Sequence, residues 1–323
     1  MTVLVLTLLT AWAAAALYFD LPVAGLRLPA ALLYALVTIS ALALLKERWV
    51  VMGLAAAGFV LVLAWWRTLR PSNNRQWQPD VARRSWAEID GDRVTIHNLR
   101  NCDYRTETDY LPHWETRTVN LSHLRGVDIF LTYWGSPWIA HPIVSFDFGD
   151  GNHIAISIET RKQVGESYST FRGFFRQYQL IYIISDERDV VRLRSNYRTG
   201  EDVYLFRTNA ALQLARALFL EYLARINRIR KHPEWYNALT NNCTTNISVL
   251  AASAQGIRPR WDWRILCNGR AGQMLYERGE LAGDLPYAEL KAKAYINPAA
   301  KAADRDPDFS RRIRAGRPGF TPE

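Results

Sequence analysis

The sequence predicts an α+β protein in which N-terminal transmembrane helices precede a domain with an antiparallel sheet packed on helices. Three uncharged apolar runs lie within the first 66 residues, and no run of that kind recurs after them. Short β-like runs then alternate with turn residues up to about residue 206, where the apolar residues change to a helical period. With 49% hydrophobic and 12% aromatic residues, the chain has enough apolar surface to bury a sizeable core.

The apolar runs are Val3–Phe19, Leu28–Leu45 and Val50–Trp66. Each is 17 or 18 residues long, the lower limit of what crosses a bilayer as a helix. The first run is alternatively a signal peptide, because Ala13–Ala16 offers small residues for cleavage, although no lysine or arginine precedes it. We therefore assign residues 1–66 to a membrane anchor of three hydrophobic helices.

A basic turn, Lys-Glu-Arg at residues 46–48, separates the second and third runs. The positive-inside rule places this turn in the cytoplasm, so the chain after Trp66 is expected outside. Arg67, Arg70 and Arg75 favour the opposite orientation.

Positive charge is concentrated after the anchor. Residues 1–66 contain three basic and two acidic side chains, so +8 of the total charge of +9 belongs to the rest of the chain. A basic domain tethered to a bilayer is attracted by anionic head groups. Nucleic acid is the other usual partner of basic proteins, and we do not expect it for a domain outside the cytoplasm.

The remaining chain divides into three predicted segments. Residues 67–90 are polar and contain proline and asparagine, which is typical of a linker. Residues 91–300 form the main domain, and residues 301–323 form a basic tail. We interpret the Arg-Arg-Ile-Arg run at 311–314 as a solvated chain end.

Five short runs are typical of strands because β-branched and aromatic residues dominate them. Between the second and third of these runs, Gly-Asp-Gly-Asn at 149–152 predicts a hairpin turn, since these residues accept positive φ angles easily. The second and third strands should therefore be antiparallel neighbours. The predicted strands are Val127–Tyr133, Ile143–Phe148, His153–Glu159, Gln179–Ile184 and Val190–Arg194.

Two helices are predicted after the strands. The first extends over residues 209–231 and stops before Pro233. The second begins just before or at Cys243, with Asn241 or Asn242 as its N-cap. The apolar stripe of the first helix is Leu212, Ala215, Phe219, Tyr222, Ile226 and Ile229.

The chain contains three cysteines, so at least one thiol is left free in an oxidising compartment. Cys102 and Cys267 are a candidate disulfide pair. Cys243 is then the spare thiol, and in the first turn of a helix it faces the positive end of the dipole, which favours the thiolate. From the residues alone, Cys243 remains a nucleophile, half of a disulfide or a buried small residue.

A thiol nucleophile needs a base, and two histidines flank the predicted hairpin. His141 leads into its first strand and His153 opens its second. His153, Ser157 and Glu159 share one face of a strand, so a carboxylate or a second imidazole can lie behind a base on the neighbouring strand. Each histidine is alternatively a surface residue or a hydrogen-bonded structural one.

No metal or cofactor is expected from the motifs. The cysteines are far apart, and neither HExxH nor CxxC occurs. A glycine-rich phosphate-binding loop is also missing from the sequence.

Five motifs taken together resemble the DUF4105 family, which includes the periplasmic domain of the lipoprotein N-acyltransferase Lnb. The resemblance covers residues 98–297, and the combination is specific where each motif alone is not. The motifs are Ile139–Gly151, Ile156–Arg161, Phe175–Tyr182, Asp186–Arg194 and Tyr236–Asn246.

That family in turn resembles circularly permuted NlpC/P60 and lecithin–retinol acyltransferase-like thiol enzymes, in which the histidine strand precedes the cysteine helix. The resemblance implies a papain-like domain with Cys243 as nucleophile and His141 as base. Glu159 and His153 are rival candidates for the residue that orients the imidazole. The amide of Cys243 and the side chain of Asn242 are candidates for stabilising the oxyanion.

The resemblance also implies an activity. Cys243 is expected to take an acyl chain from a phospholipid as a thioester and pass it to the N-terminal amine of a diacylglyceryl-cysteine lipoprotein. The expected location is the bacterial inner membrane, with the domain in the periplasm. One alternative is an envelope hydrolase with the same dyad, a peptidoglycan or peptide amidase or a phospholipase. The other is a non-catalytic envelope scaffold.

Overall fold

The computed structural model describes residues 2–320. The chain forms two compact units. The helical unit comprises the residues up to Arg75 together with Glu166–Gln179 and Glu234–Ala238. The sheet unit comprises Gln76–Gly165, Leu180–Pro233 and the chain from Leu239 onward.

Three apolar helices make up most of the helical unit, and they contain the three predicted runs apart from Leu45, which is the C-cap of the second helix. α1 is Thr2–Asp20, α2 is Ala24–Leu44 and α3 is Arg48–Thr68. α1 packs against both of the others. By length and composition, α2 and α3 are able to cross a membrane, whereas the apolar helix at Leu4–Asp20 is shorter.

A mostly antiparallel sheet organises the sheet unit. Its strands follow the order β1-β2-β9-β8-β7-β6-β10, with β5 also paired to β2, and β3 and β4 form a separate pair. The strands are β1 (Trp86–Asp90), β2 (Arg93–Arg100), β3 (Asp103–Tyr104), β4 (Tyr110–Leu111), β5 (Trp114–Asn120), β6 (Gly126–Trp134), β7 (Ala140–Asp147), β8 (His153–Arg161), β9 (Gln179–Ser185) and β10 (Glu201–Arg207).

The predicted hairpin is confirmed. β7 and β8 are antiparallel, with Asp147 opposite His153. The turn between them contains Gly149, Asp150 and Gly151 at φ angles of 77°, 50° and 73°. These left-handed conformations explain why glycine and aspartate occupy the turn.

Helices cover both faces of the sheet. On one face, Phe130 and Ile143 pack in a core with residues of α4, α9 and α10. On the other, Phe146 packs against Phe219 of α5. The helices are α4 (Glu187–Arg192), α5 (Leu212–Lys231), α6 (Cys243–Ala254), α7 (Ala271–Glu277), α8 (Tyr287–Ala294), α9 (Asn297–Ala302) and α10 (Phe309–Arg312).

The predicted strand Val190–Arg194 is wrong, because these residues belong to α4 and a following π-helical turn, Leu193–Tyr197. Two β-branched residues suggested a strand. The Asp186 side chain, however, accepts a hydrogen bond from the Arg188 amide and caps a helix that begins at residue 187.

Both ends of the predicted main domain are also corrected. Five residues of the predicted linker form β1 and pair with β2. In the predicted tail, Ile313 is fully buried and Arg314 is 7% exposed. The Arg314 guanidinium donates hydrogen bonds to Asp128 and Glu187. This run is therefore not a solvated end. Ile313 packs among apolar side chains, and Arg314 faces the buried carboxylates of Asp128 and Glu187.

The α+β class and the antiparallel sheet are confirmed. The cysteine helix α6 follows the histidine strand β7 in the chain and packs against β7 and β8. The papain-like, circularly permuted NlpC/P60 arrangement remains a prediction.

Candidate active site

The candidate site lies where β7 and β8 separate. Their ladder ends at Ile143 opposite Ser157, although β7 begins at Ala140 and β8 continues to Arg161. His141 and Glu159 therefore lie just beyond the β7–β8 ladder, while His141 stays paired with Thr132 of β6 on the other side of the strand.

A chain of hydrogen bonds joins His141 to Glu159. The distance from His141 Nε2 to Ser157 Oγ is 2.7 Å, and Ser157 Oγ donates to Glu159 Oε1 at 2.8 Å. A serine hydroxyl has one hydrogen to donate, and Ser157 donates it in the hydrogen bond to Glu159. Ser157 must then accept from His141, so the proton of the neutral imidazole is on Nε2. Nδ1 is left with the lone pair that a general base needs.

An arginine holds the far end of this chain. Arg194 donates to Glu159 Oε1 at 3.1 Å and to Glu201 Oε2 at 3.3 Å. Burial alone would raise the pKa of Glu159, but Arg194 and the other neighbouring charges hold it well below its usual range. Glu159 is therefore a carboxylate at neutral pH.

Burial keeps the imidazole neutral. Burial, with a smaller contribution from Arg194 that Glu159 partly offsets, lowers the pKa of His141 to about 3. The ring is thus unprotonated across the physiological range and is available to accept a proton.

Cys243 is the first residue of α6, as predicted. Its thiol is buried, and burial raises its pKa to about 11. That value includes a decrease from the hydrogen bonds of Thr244, a smaller increase from Glu159 and a smaller decrease from Arg194. The charges of Glu159 and Arg194 also act on His141. The imidazole and the thiol therefore share one electrostatic environment, in which both are neutral at rest.

One side chain links the histidine strand to the cysteine helix. Asn268 Oδ1 accepts a hydrogen bond from the Ala140 amide at 2.8 Å, and its Nδ2 donates to Thr244 Oγ1 at 2.9 Å. These two partners adjoin His141 and Cys243 in the chain. Asn268 thereby connects the two residues that adjoin the predicted catalytic residues, through the Ala140 backbone and the Thr244 side chain.

The neighbouring glycine lets this loop approach β7 closely. The Gly269 amide donates to the Trp138 carbonyl at 2.9 Å. A Cβ at this position would lie 2.3 Å from the Pro137 carbonyl oxygen. Glycine is therefore required here, because any side chain would push the Asn268 loop away from the strand.

Asn242 is the N-cap of α6. Its side chain accepts a hydrogen bond from the Thr245 amide, and the Thr245 hydroxyl accepts from the Asn242 amide, which completes a capping box. The side-chain oxygen of Asn242 thus has a structural task. The contact of Asn242 with an oxyanion remains a prediction.

The structure does not bring His153 to His141. His153 Nε2 lies 3.7 Å from Asp147 Oδ1, at the hairpin end of the strands. Glu159 lies six positions farther along β8, about 20 Å of extended chain. His153 and Glu159 lie on the same face of the strand by parity. Only Glu159 is joined to the His141 ring by hydrogen bonds, through Ser157.

The other two cysteines do not pair. All three thiols in the chain are free. Cys102 is buried, and its backbone amide donates to Asp189. Cys267 is half-buried and adjoins Asn268 in the loop that links β7 to α6.

Sequence reasoning gave no role to three residues of this site. Ser157 was on the predicted face with Glu159, and its position two residues away was a usable signal. Arg194 was hidden in the segment wrongly predicted as a strand. Asn268 follows Thr244 by 24 residues, and nothing in the local sequence indicates that the two side chains meet.

Comparison with known proteins places these residues in a family. No curated protein and no solved structure matches the chain. The segment 110–269 matches the family described as the Lnb N-terminal periplasmic domain, and it contains His141, Glu159 and Cys243. Residues 110–269 of this chain thus belong to the family of Lnb N-terminal periplasmic domains.

Proposed function

We propose that this protein is a membrane-anchored thiol acyltransferase of the bacterial inner membrane, with its sheet unit in the periplasm. The observation that carries the proposal is the hydrogen-bonded chain from His141 through Ser157 to Glu159, linked by Asn268 to the helix of Cys243. Such a chain is the arrangement that activates a nucleophile through an oriented base.

In the first step, Cys243 attacks the ester carbonyl of a phospholipid while His141 Nδ1 accepts the thiol proton. The tetrahedral intermediate collapses to a thioester, and the lysophospholipid leaves as an alcohol after taking that proton from the imidazolium. The ionised Glu159, acting through Ser157, stabilises the imidazolium between these events.

In the second step, the α-amine of a diacylglyceryl-cysteine lipoprotein attacks the thioester. The amine loses a proton to His141, an amide forms, and Cys243 leaves as the thiol. A thioester is more reactive toward amines than the original ester, so the covalent intermediate makes the transfer easier. The products are a lipoprotein with a third acyl chain and a regenerated enzyme.

The neutral resting state of both groups means that the proton has to move during the attack. With the pKa of Cys243 near 11 and that of His141 near 3, a preformed thiolate–imidazolium pair is not stable in the empty site. The proton is therefore expected to move as the carbon–sulfur bond forms. A thiol that stays protonated between turnovers is also less exposed to oxidation.

The membrane helices and the charge support a lipid substrate. α2 and α3 are long enough to span a bilayer, and the chain after residue 66 carries +8 of the total charge. Both proposed substrates reside at the bilayer surface, where a basic domain is attracted to anionic head groups.

The test uses the full chain in phosphatidylethanolamine vesicles with a synthetic diacylated lipopeptide, read by mass spectrometry. We expect a third acyl chain on the lipopeptide amine. Cys243→Ala and His141→Gln should abolish it. Glu159→Gln should lower the rate by about tenfold to a thousandfold, because the imidazolium loses its counter-charge. His153→Gln should leave the rate unchanged.

The products separate the alternatives. Release of free fatty acid without amide formation would identify a hydrolase instead. No reaction, together with no acyl adduct on Cys243, would favour a scaffold. Thermal melting of each variant in detergent is needed alongside, since Glu159→Gln leaves Arg194 with one fewer carboxylate partner.

A further inference from the structure

A cavity of about 430 Å³ opens in the helical unit, beside the turn between α1 and α2. The segment Glu166–Gln179 closes its other side. None of its lining residues belongs to the catalytic chain described above. The lining residues are Tyr18, Phe19, Ala24, Arg27, Leu28, Arg172 and Gln177.

The cavity lies at one end of the three-helix bundle. The Trp66 indole, near the end of α3, donates to the Asp20 carboxylate at the end of α1 at 2.6 Å, so these two helices end side by side. α2 begins four residues after Asp20. If α2 and α3 span the bilayer, this end is at the membrane surface, where tryptophan is favoured.

Hydrogen bonds fix the walls of the cavity. Gln177 Nε2 donates to the Phe19 carbonyl at 2.8 Å and to Asp20 Oδ1 at 2.7 Å. The Arg176 amide donates to Asp20 Oδ2 at 3.2 Å. Phe19 also stacks on Phe175 with ring centroids 5.0 Å apart. The site is therefore built before any ligand arrives, which reduces the entropy lost on binding.

Two guanidinium groups line this preformed space. Arg27 is the one charged residue of α2, and it lies in the first turn, where the helix dipole disfavours a cation. Its Nε donates to the Leu21 carbonyl at 2.7 Å, which leaves its two terminal nitrogens for other acceptors. Arg172 lies 3.6 Å from Glu166 and donates to Gln177. The lining residues thus include two arginines and no acidic residue, with Glu166 beside Arg172 and the Asp20 carboxylate in the wall.

Apolar side chains border the same space. Leu28 is 54% exposed and Tyr18 is 45% exposed. Phe171, one residue before Arg172, is 58% exposed. A soluble phosphate would use only the arginines, whereas a lipid also covers the apolar border.

We propose that this cavity binds the head group of a glycerophospholipid, with Arg27 and Arg172 on the phosphate and the acyl chains along α1 and α2. Arginine suits this ligand because its planar fork donates two parallel hydrogen bonds to a phosphate. The site goes beyond the proposed acyl transfer and does not depend on the thiol.

The test is native mass spectrometry of the full chain in detergent, titrated with dioleoylphosphatidylglycerol. Cys243→Ala is present throughout, so no turnover consumes the lipid. Arg27→Gln and Arg172→Gln should each weaken lipid binding by about fivefold or more. Arg67→Gln is the matched control, because Arg67 is an exposed arginine of α3 that does not line the cavity. Dioleoylglycerol, which lacks the phosphate, should not bind.

Two results would overturn the proposal. One is unchanged phosphatidylglycerol binding in both arginine variants. The other is displacement of the lipid by equimolar glycerol 1-phosphate, which would indicate a site for soluble phosphate. Arg27→Lys and Arg172→Lys keep the charge and should retain part of the binding, so loss of fold is distinguished from loss of contact. If the protein with Cys243 intact binds the lipid but transfers no acyl chain, the proposed function is contradicted and the proposed lipid site is not.

Discussion

Ser157 lies between His141 and Glu159 and has a single proton to donate. Its donation to Glu159 fixes the imidazole proton on Nε2 and leaves Nδ1 as the basic nitrogen. Arg194 keeps Glu159 ionised, so the charge that stabilises an imidazolium is already in place. At the residue scale, these hydrogen bonds support the proposed orientation of the imidazole by Glu159 through Ser157.

The buried thiol should react slowly with small alkylating agents. Burial raises the pKa of Cys243 from 9.0 to about 11, so its thiolate fraction at pH 7 is about a hundredfold lower than that of an ordinary cysteine. Iodoacetamide labelling of the Cys243 peptide, followed by mass spectrometry, should increase about tenfold per pH unit up to pH 9.5 without levelling off. A plateau near pH 7 would contradict the neutral resting thiol.

Asn242 is the N-cap of α6 and is also the proposed donor to the oxyanion, and one substitution tests the two roles separately. Asn242→Ser keeps a good N-cap acceptor and removes the amide donor. We expect little change in melting temperature and a decrease in kcat of about a hundredfold, the usual loss for one oxyanion donor. An unchanged kcat would assign Asn242 to capping alone, with the Cys243 amide as the donor.

At the scale of elements, the loop containing Asn268 connects β7 to α6. Asn268 contacts no proposed reacting atom, so it is a positioning residue. It holds Ala140 and Thr244, and through them the strand of His141 and the helix of Cys243. Gly269 allows this contact by bringing the loop against the β7 side of the site.

Removing this connection should impair chemistry more than substrate binding. Asn268→Ala loses both hydrogen bonds, and we expect kcat to fall by about tenfold to a hundredfold with KM nearly unchanged, because a misplacement of about 1 Å is costly. Thr244→Val removes one of the two bonds and also the 3.8 Å contact between Thr244 Oγ1 and Cys243 Sγ, so it tests all contacts of the Thr244 hydroxyl together. Equal activity of the Asn268→Ala variant, measured at saturating substrate, would refute the positioning role.

At the scale of the whole molecule, the C-terminal segment is part of the core. Arg314 donates two hydrogen bonds to Asp128 of β6 and two to Glu187 of α4. Ile313 and Phe309 are fully buried beside it. One guanidinium thereby joins the end of the chain to the sheet and to the helix that precedes Arg194.

Loss of this arginine should destabilise the fold. Arg314→Met leaves two buried carboxylates without their main partner, and we expect the free energy of unfolding to decrease by about 3–5 kcal/mol. Denaturant unfolding in detergent, followed by tryptophan fluorescence, measures the change. Arg312→Met is the control: its side chain is 53% exposed, so a change below about 0.5 kcal/mol is expected. Similar losses in both variants would argue against the buried network.

Much of the architecture was readable from local patterns. Apolar runs identified the three N-terminal helices, the Gly-Asp-Gly-Asn turn identified the β7–β8 hairpin, and an amide before Cys243 identified the start of α6. The strand prediction for Val190–Arg194 was wrong. β-branched residues favour strands, but here Asp186 caps a helix, and packing against the C-terminal helices stabilises it.

The sequence by itself determined the N-terminal helices, the β7–β8 hairpin and the start of α6, because periodicity, capping and turn chemistry act between near neighbours. Its resemblance to the DUF4105 family supplied the candidate catalytic pair His141 and Cys243. Only the tertiary structure shows that Glu159, and not His153, is connected to the His141 ring. It also shows that Ser157, Arg194 and Asn268 belong to the candidate site. The basic C-terminal run is part of the core only because of its tertiary contacts. Those outcomes depend on contacts between residues far apart in the chain, and on burial, which changes the cost of a charge and the pKa of a thiol.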